Sequence, residues 1–107
     1  MAAPGHNVYV IELDPKVWNH TRFRQANPDH DIAKPCVYVG CTGLTPEERF
    51  ENHRRGYRSN AYVTRYGLRL LPRLYRRLNP MPYELARTTE VMLALKLRRD
   101  GWAVWQA

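Results

Sequence analysis

The sequence predicts an α+β fold, a small central sheet of about three strands flanked by helices. Three observations carry that expectation. Residues 8–13 alternate, with Tyr9, Ile11 and Leu13 on one side and Val8, Val10 and Glu12 on the other, the period of a strand. The run Cys36-Val37-Tyr38-Val39-Gly40 is rich in β-branched and aromatic residues and closed by a glycine. Residues 83–99 have the length and composition of a helix, stopped by Asp100-Gly101.

Taken in order, the first strand covers residues 7–13. Residues 14–35 carry three prolines (Pro15, Pro28, Pro35) and scattered charge, and read as a long insertion between the first two strands. A helical turn is expected there around Val17 to Phe23. The second strand spans residues 36–41. Thr45-Pro46-Glu47-Glu48 then spells a helix start, with Thr45 as N-cap, Pro46 at the first helical position and Glu48 able to close a capping box. That helix is expected over 46–55, ended by Gly56. A short helix is weakly signalled between Tyr57 and Tyr66. Residues 68–75 suit a third strand, placed at an edge or interrupted because Pro72 has no N–H for a ladder. Asn79-Pro80-Met81-Pro82 is a turn and helix-start signal for a helix over 82–99. Trp102-Ala103-Val104-Trp105 is either a terminal strand or an apolar tail packed on the sheet.

At 107 residues the chain suits one domain, 1–107. No apolar run approaches the roughly 20 residues a membrane span needs, so no membrane association is expected. The first residues lack a basic region followed by an apolar core, so no signal peptide is expected and cytoplasmic residence follows as the default. Cys36 and Cys41, the only cysteines, would lie about 17 Å apart on opposite faces if both are on one strand, too far for a disulfide, and would approach only if Gly40 starts a turn; a reduced pair is expected. A structural zinc needs more ligands than this pair supplies.

The net charge of +7 points to a polyanionic partner. Nucleic acid fits best, because Arg54, Arg55, Arg58 and Arg65 interleave with Tyr57, Tyr62 and Tyr66, which offer rings for bases to stack on. The alternative for the charges alone is a solvated face that keeps the chain soluble. His30 between Asp29 and Asp31 has the residue types of a metal site, but alternate charges in a loop are ordinarily solvated.

Several single residues carry two readings. Glu90 shares a helix face with Tyr83, Ala86, Leu93, Ala94 and Leu97. A carboxylate in an apolar stripe binds a cation or forms an ion pair, here with Arg49 or Arg87. Glu84 falls farther round and reads as solvated. Arg49 either pairs with Glu48, Glu51 or Glu12, or clamps a phosphate through two parallel hydrogen bonds. His53, four residues on, shares its face and is a surface residue, a phosphate contact or a proton shuttle. Tyr9 and Tyr38 are either core aromatics with wet hydroxyls or members of a site at one end of the sheet. Thr42 reads as a turn residue.

This ordered set resembles the GIY-YIG nuclease superfamily. Tyr38-Val39-Gly40 is similar to its second signature triplet, and Asn7-Val8-Tyr9 to a degenerate first triplet that keeps only Tyr9. Arg49 and His53 resemble the Arg and His of its first helix, and Glu90 its metal-binding carboxylate. The likeness spans roughly Asn7 to Gly101. It implies a metal-dependent endonuclease acting on DNA more than RNA. Tyr9, Tyr38, Arg49, His53 and Glu90 would then be catalytic, and Glu90 would hold Mg2+ or Mn2+. The alternative it leaves open is a catalytically degenerate basic nucleic-acid-binding module. Monomer and homodimer are both open.

Overall fold

A computed structural model describes residues 4–107. The expectation about a leader falls in part on residues 1–3, which lie outside the described residues. The chain is α+β with a four-stranded mixed sheet. Strand β1 (Asn7–Leu13) leads through a 3-10 turn (Pro15–Asn19) and helix α1 (Thr21–Gln25) to β2 (Cys36–Thr42). Helices α2 (Pro46–Arg54) and α3 (Ala61–Tyr66) follow, then β3 (Gly67–Leu70), a 3-10 turn (Pro72–Leu74), the long helix α4 (Tyr83–Arg99) and β4 (Ala103–Gln106).

The strand order is β3-β1-β2-β4. β1 is antiparallel to both β2 and β3, and β4 runs parallel to β2. The expectation of about three strands is roughly met: the terminal segment, open between strand and tail, adds a fourth as β4. The expected third strand over 68–75 is shorter. Pro72, which cannot donate to a ladder, begins a 3-10 turn instead.

Beyond β3, the outer edge of β1 is closed by other means. Leu71 N–H donates to the Val10 carbonyl at 2.9 Å. The Asn79 side chain pairs with both backbone groups of Val8, at 2.8 Å each, and Met81 bridges to His6. An amide side chain thus copies one rung of a strand, which leaves no unpaired template along that stretch.

Register fixes the two faces. Tyr9, Ile11 and Leu13 lie opposite Gly40, Tyr38 and Cys36, so these residues share one face. Helices α1 to α3 cover it: Phe23 stacks on Trp105 with ring centroids 6.4 Å apart, and Tyr62 meets Trp105 edge-on at 5.0 Å. The opposite face, with Val8, Val10, Val37, Val39 and Cys41, is covered by α4 through Ala86, Glu90, Ala94 and Leu97. Alanines at two of those four positions let the helix approach the strands closely. Tyr83, expected on that buried stripe, is half exposed at the first turn and packs edge-on against His6.

The insertion at 14–35 is more ordered than its composition suggests. Asp14 accepts from Lys16 N–H and starts the 3-10 turn, so the expected turn around Val17 to Phe23 becomes two short helical pieces meeting at His20. Asn27 then acts as a buried hub. Its amide nitrogen donates to the carbonyls of Phe23 (2.8 Å) and Val104 (3.1 Å), while its oxygen accepts from Val104 N–H (2.7 Å) and Arg98 Nε (3.3 Å). Asp31 N–H donates to Gly101 O at 2.8 Å. Gly101, at φ +92°, ends α4 in the left-handed region, and a Cβ there would lie 3.0 Å from that of Asp31.

Candidate active site

Tyr9 and Tyr38 are diagonal neighbours across β1 and β2, with ring centroids 6.1 Å apart. His53 closes the cluster from α2, at 6.0 Å from the Tyr9 ring and 5.4 Å from the Tyr38 ring. His53 is fully buried, which corrects the expectation of a helix-surface residue. The helix brings it there because the capping box forms as its sequence predicts: Thr45 accepts from Glu48 N–H, and Glu48 accepts from Thr45 N–H, both at 3.1 Å.

The hydrogen bonds of His53 set its tautomer. Backbone N–H of Asn60 donates to Nδ1 at 3.2 Å, so the ring proton sits on Nε2. Nε2–H therefore donates to Tyr9 Oη, 2.9 Å away. Burial, then the charge of Arg49, holds the His53 pKa down at about 4, and the ring is neutral at pH 7. Sequence analysis missed Asn60. Its signal was legible: an N-cap residue before an apolar run, whose side chain accepts from Tyr62 N–H at 2.9 Å.

Burial pushes the Tyr9 phenol far above its usual pKa, the Tyr38 charge adds to that, and Arg49 opposes it. Tyr38 is also raised by burial, but the Tyr9 hydroxyl and Arg49 both ease its ionisation. Arg49 eases the ionisation of both phenols, while the charges of Glu90 and Cys41 oppose that of Tyr38. At pH 7 both are protonated.

Arg49 is half-buried beside the phenols. Its Nη2 donates to the Arg58 carbonyl at 2.7 Å and its Nη1 more weakly to that of Tyr57 at 3.4 Å. None of the ion pairs expected as its alternative forms among the described residues, and Glu12 pairs instead with Arg69 at 3.3 Å. Arg49 therefore fastens the turn after α2, where Arg58 has a positive φ of 46°. Thr42 Oγ1 accepts from Leu44 N–H at 3.0 Å, the role of a turn residue.

Glu90 stands apart from this group. It is 2 % exposed and reaches β2 from the α4 side, beside the thiol of Cys41. One oxygen lies 3.7 Å from Arg87 Nε, a long contact to an exposed partner, and the other has no hydrogen-bond partner among the described residues. Burial raises its pKa; Cys41 and then Arg87 oppose the shift. The Cys41 thiol is itself pushed to about 11, first by burial and then by Glu90. Tyr38 feels the Glu90 charge. β4 pairs with β2 only as far as Val39, so the outer edge of Gly40–Thr42 is not covered by a strand.

Arg54, Arg55, Arg58 and Arg65 are all exposed. Three of them sit over rings of their own segment: Arg54 on Phe50 (5.6 Å), Arg58 on Tyr57 (5.5 Å) and Arg65 on Tyr66 (5.1 Å). Of the tyrosines expected to offer stacking faces, Tyr57 is exposed, while Tyr66 is buried and Tyr62 packs on Trp105. The insertion contributes a cavity of about 380 Å³ at the other end of the β1–β2 pair, bounded by Trp18, His30, Lys34 and Cys36. His30 bonds to the Lys34 carbonyl at 2.9 Å, and Asp31 accepts from Ala33 N–H at 2.9 Å.

No protein-family model, curated protein or solved structure matches the chain.

Proposed function

We propose that the chain is a small endonuclease of the GIY-YIG type, hydrolysing phosphodiester bonds in nucleic acid, with DNA the preferred substrate. The observation that carries the reading is the buried Tyr9–His53–Tyr38 cluster with Arg49 beside it, in a chain that also exposes Arg54, Arg55, Arg58 and Arg65. Phosphodiester hydrolysis needs an activated water, neutralisation of charge on phosphorus and a route for the proton. Tyr38, protonated at pH 7, would act as a relay, its oxygen taking a proton from the attacking water as its own hydroxyl proton passes to solvent. Tyr9, held by His53 Nε2–H, orients Tyr38 and keeps the cluster rigid. Arg49 would turn free N–H groups toward the phosphate while its other donors hold the turn.

Glu90 would be the residue to hold a divalent metal, although among the described residues it belongs to no group of three or more His, Cys, Asp or Glu side chains. Glu90 is a single buried carboxylate with one unbonded oxygen, suited to Mg2+ or Mn2+, which take few protein ligands and keep most of their waters. Bound there, the ion would supply Lewis-acid chemistry from the sheet face opposite Tyr38. A second reading, a nucleic-acid-binding module without turnover, is favoured by one observation: two donors of Arg49 are already engaged by backbone carbonyls.

The test incubates the pure protein with supercoiled plasmid, single-stranded DNA and RNA, with and without Mg2+ or Mn2+. The nuclease reading expects divalent-dependent cleavage that is lost in Arg49→Ala. Retarded mobility without cleavage under every ion supports the binding module, and neither effect rejects both readings.

A further inference from the structure

Helix α4 has its small apolar residues inward and its large ones outward. Ala86 and Ala94 are buried, while Leu85, Met92 and Leu95 are 53 %, 61 % and 48 % exposed and Val91 is 41 % exposed. At 100° per residue these large side chains lie on the face directly away from the sheet. A helix apolar on both sides is ordinarily covered on both. A groove lies along the flank of that face, lined by Leu78, Thr89, Met92, Leu93 and Lys96.

The outward stripe has a second property. Six of its residues, Glu84, Thr88, Val91, Met92, Leu95 and Arg99, form three pairs about the midpoint between Val91 and Met92, while Leu85 falls against Arg98. Turning the helix end for end would set Glu84 against Arg99, Thr88 against Leu95 and Val91 against Met92. The apolar residues fall at the centre and opposite charges at the two ends. Neither Glu84 nor Arg99 forms an ion pair among the described residues; the pairs present are Arg69–Glu12, Arg87–Glu90 and Lys96–Asp100. An isologous interface demands this self-complementarity, because each residue i that meets j requires j to meet i. Antiparallel helices also set opposite dipole ends together.

We propose that this face binds a second copy of the chain, forming a two-fold dimer through antiparallel α4 helices centred on Val91 and Met92. Glu84 of each copy pairs with Arg99 of the other. The proposal is independent of the nuclease reading.

Sedimentation velocity over a range of protein concentrations tests it, in low and moderate salt. The parent is expected to be dimeric in the micromolar range. Met92→Glu puts a charge at the dyad and should weaken association about 100-fold, with an unchanged circular dichroism spectrum because the side chain is exposed. E84R and R99E should each weaken it about tenfold, and the E84R/R99E double variant should recover most of that loss. A parent that stays monomeric up to several hundred micromolar overturns the proposal. So does a dimer that Met92→Glu leaves intact, or a charge swap with no recovery. If α4 is protected from hydrogen exchange only when nucleic acid is added, that face belongs to another occupant and the dimer is rejected.

Discussion

Gly40 lies directly opposite Tyr9 in the β1–β2 ladder, and a Cβ at position 40 would stand 2.7 Å from the Tyr9 hydroxyl and 2.8 Å from the carbon that bears it. The glycine is there so that the phenol can cross over β2 to reach His53. Gly40→Ala should force the Tyr9 ring aside and destabilise the fold by about 1–3 kcal/mol, the usual penalty for overpacking. Chemical denaturation would give the loss, and the His53 ring resonances in NMR should shift with it. An unchanged midpoint and unchanged His53 signals would mean the backbone moves instead.

The Tyr9–His53 pair makes stability depend on pH. His53 titrates at about 4 in the folded chain against 6.5 when unfolded, so the unfolded chain binds more protons between those values. Stability contributed by neutral His53 is complete above pH 6.5 and is lost as pH falls toward 4. The shift corresponds to at most about 3 kcal/mol. Urea melts at half-unit steps of pH should show this slope, and His53→Gln should flatten it. A parent whose stability is level across the window would show that His53 takes up its proton without strain.

Glu90 has the opposite sign. Its folded pKa is raised by burial, so its charge weighs against the fold at neutral pH. Glu90→Gln should raise the thermal midpoint at pH 7, by about 1 kcal/mol of added stability. That advantage should vanish as pH falls and the parent carboxyl protonates. The same change should remove divalent binding, measured calorimetrically, and with it the proposed cleavage. Unfolding of Glu90→Gln would instead favour the Arg87 ion pair as the reason for this residue.

The exposed arginines should bind phosphates by charge. Affinity for a DNA duplex should fall as salt rises, with a log–log slope of about −0.9 per phosphate contacted. A double variant, Arg54→Ala with Arg58→Ala, should bring that slope about two units closer to zero. Filter binding at four or five salt concentrations suffices. Equal slopes for parent and variant would move the contact surface elsewhere.

Much of this was legible in residue order. The capping box, the two central strands and α4 followed from spacing that depends on neighbours three or four residues away. Tyr9, Tyr38, Arg49 and His53 converge because those local elements are correct. The status of Trp102–Trp105 was left open, since whether it is strand or tail depends on Val104 meeting Asn27, 77 residues earlier. The depth of His53 was missed for the same reason: α2 alone does not say that Tyr9 lies beneath it. Glu90 was read as a buried carboxylate, but pairing parity across the sheet puts it with Cys41 on the face opposite Tyr38. That parity follows only from a register that a single strand cannot reveal.

β4 carries a consequence for how the molecule assembles. It lies parallel to β2, and its Val104 is held by the amide of Asn27 from the insertion. The loop that must close is long, and the entropy lost in closing it is regained only when the pairing is complete. Removing residues 103–107 would orphan both ends of a buried amide and uncover one edge of β2 together. Loss of the last strand should therefore melt the insertion and sheet as one cooperative unit, not fray the chain from its end.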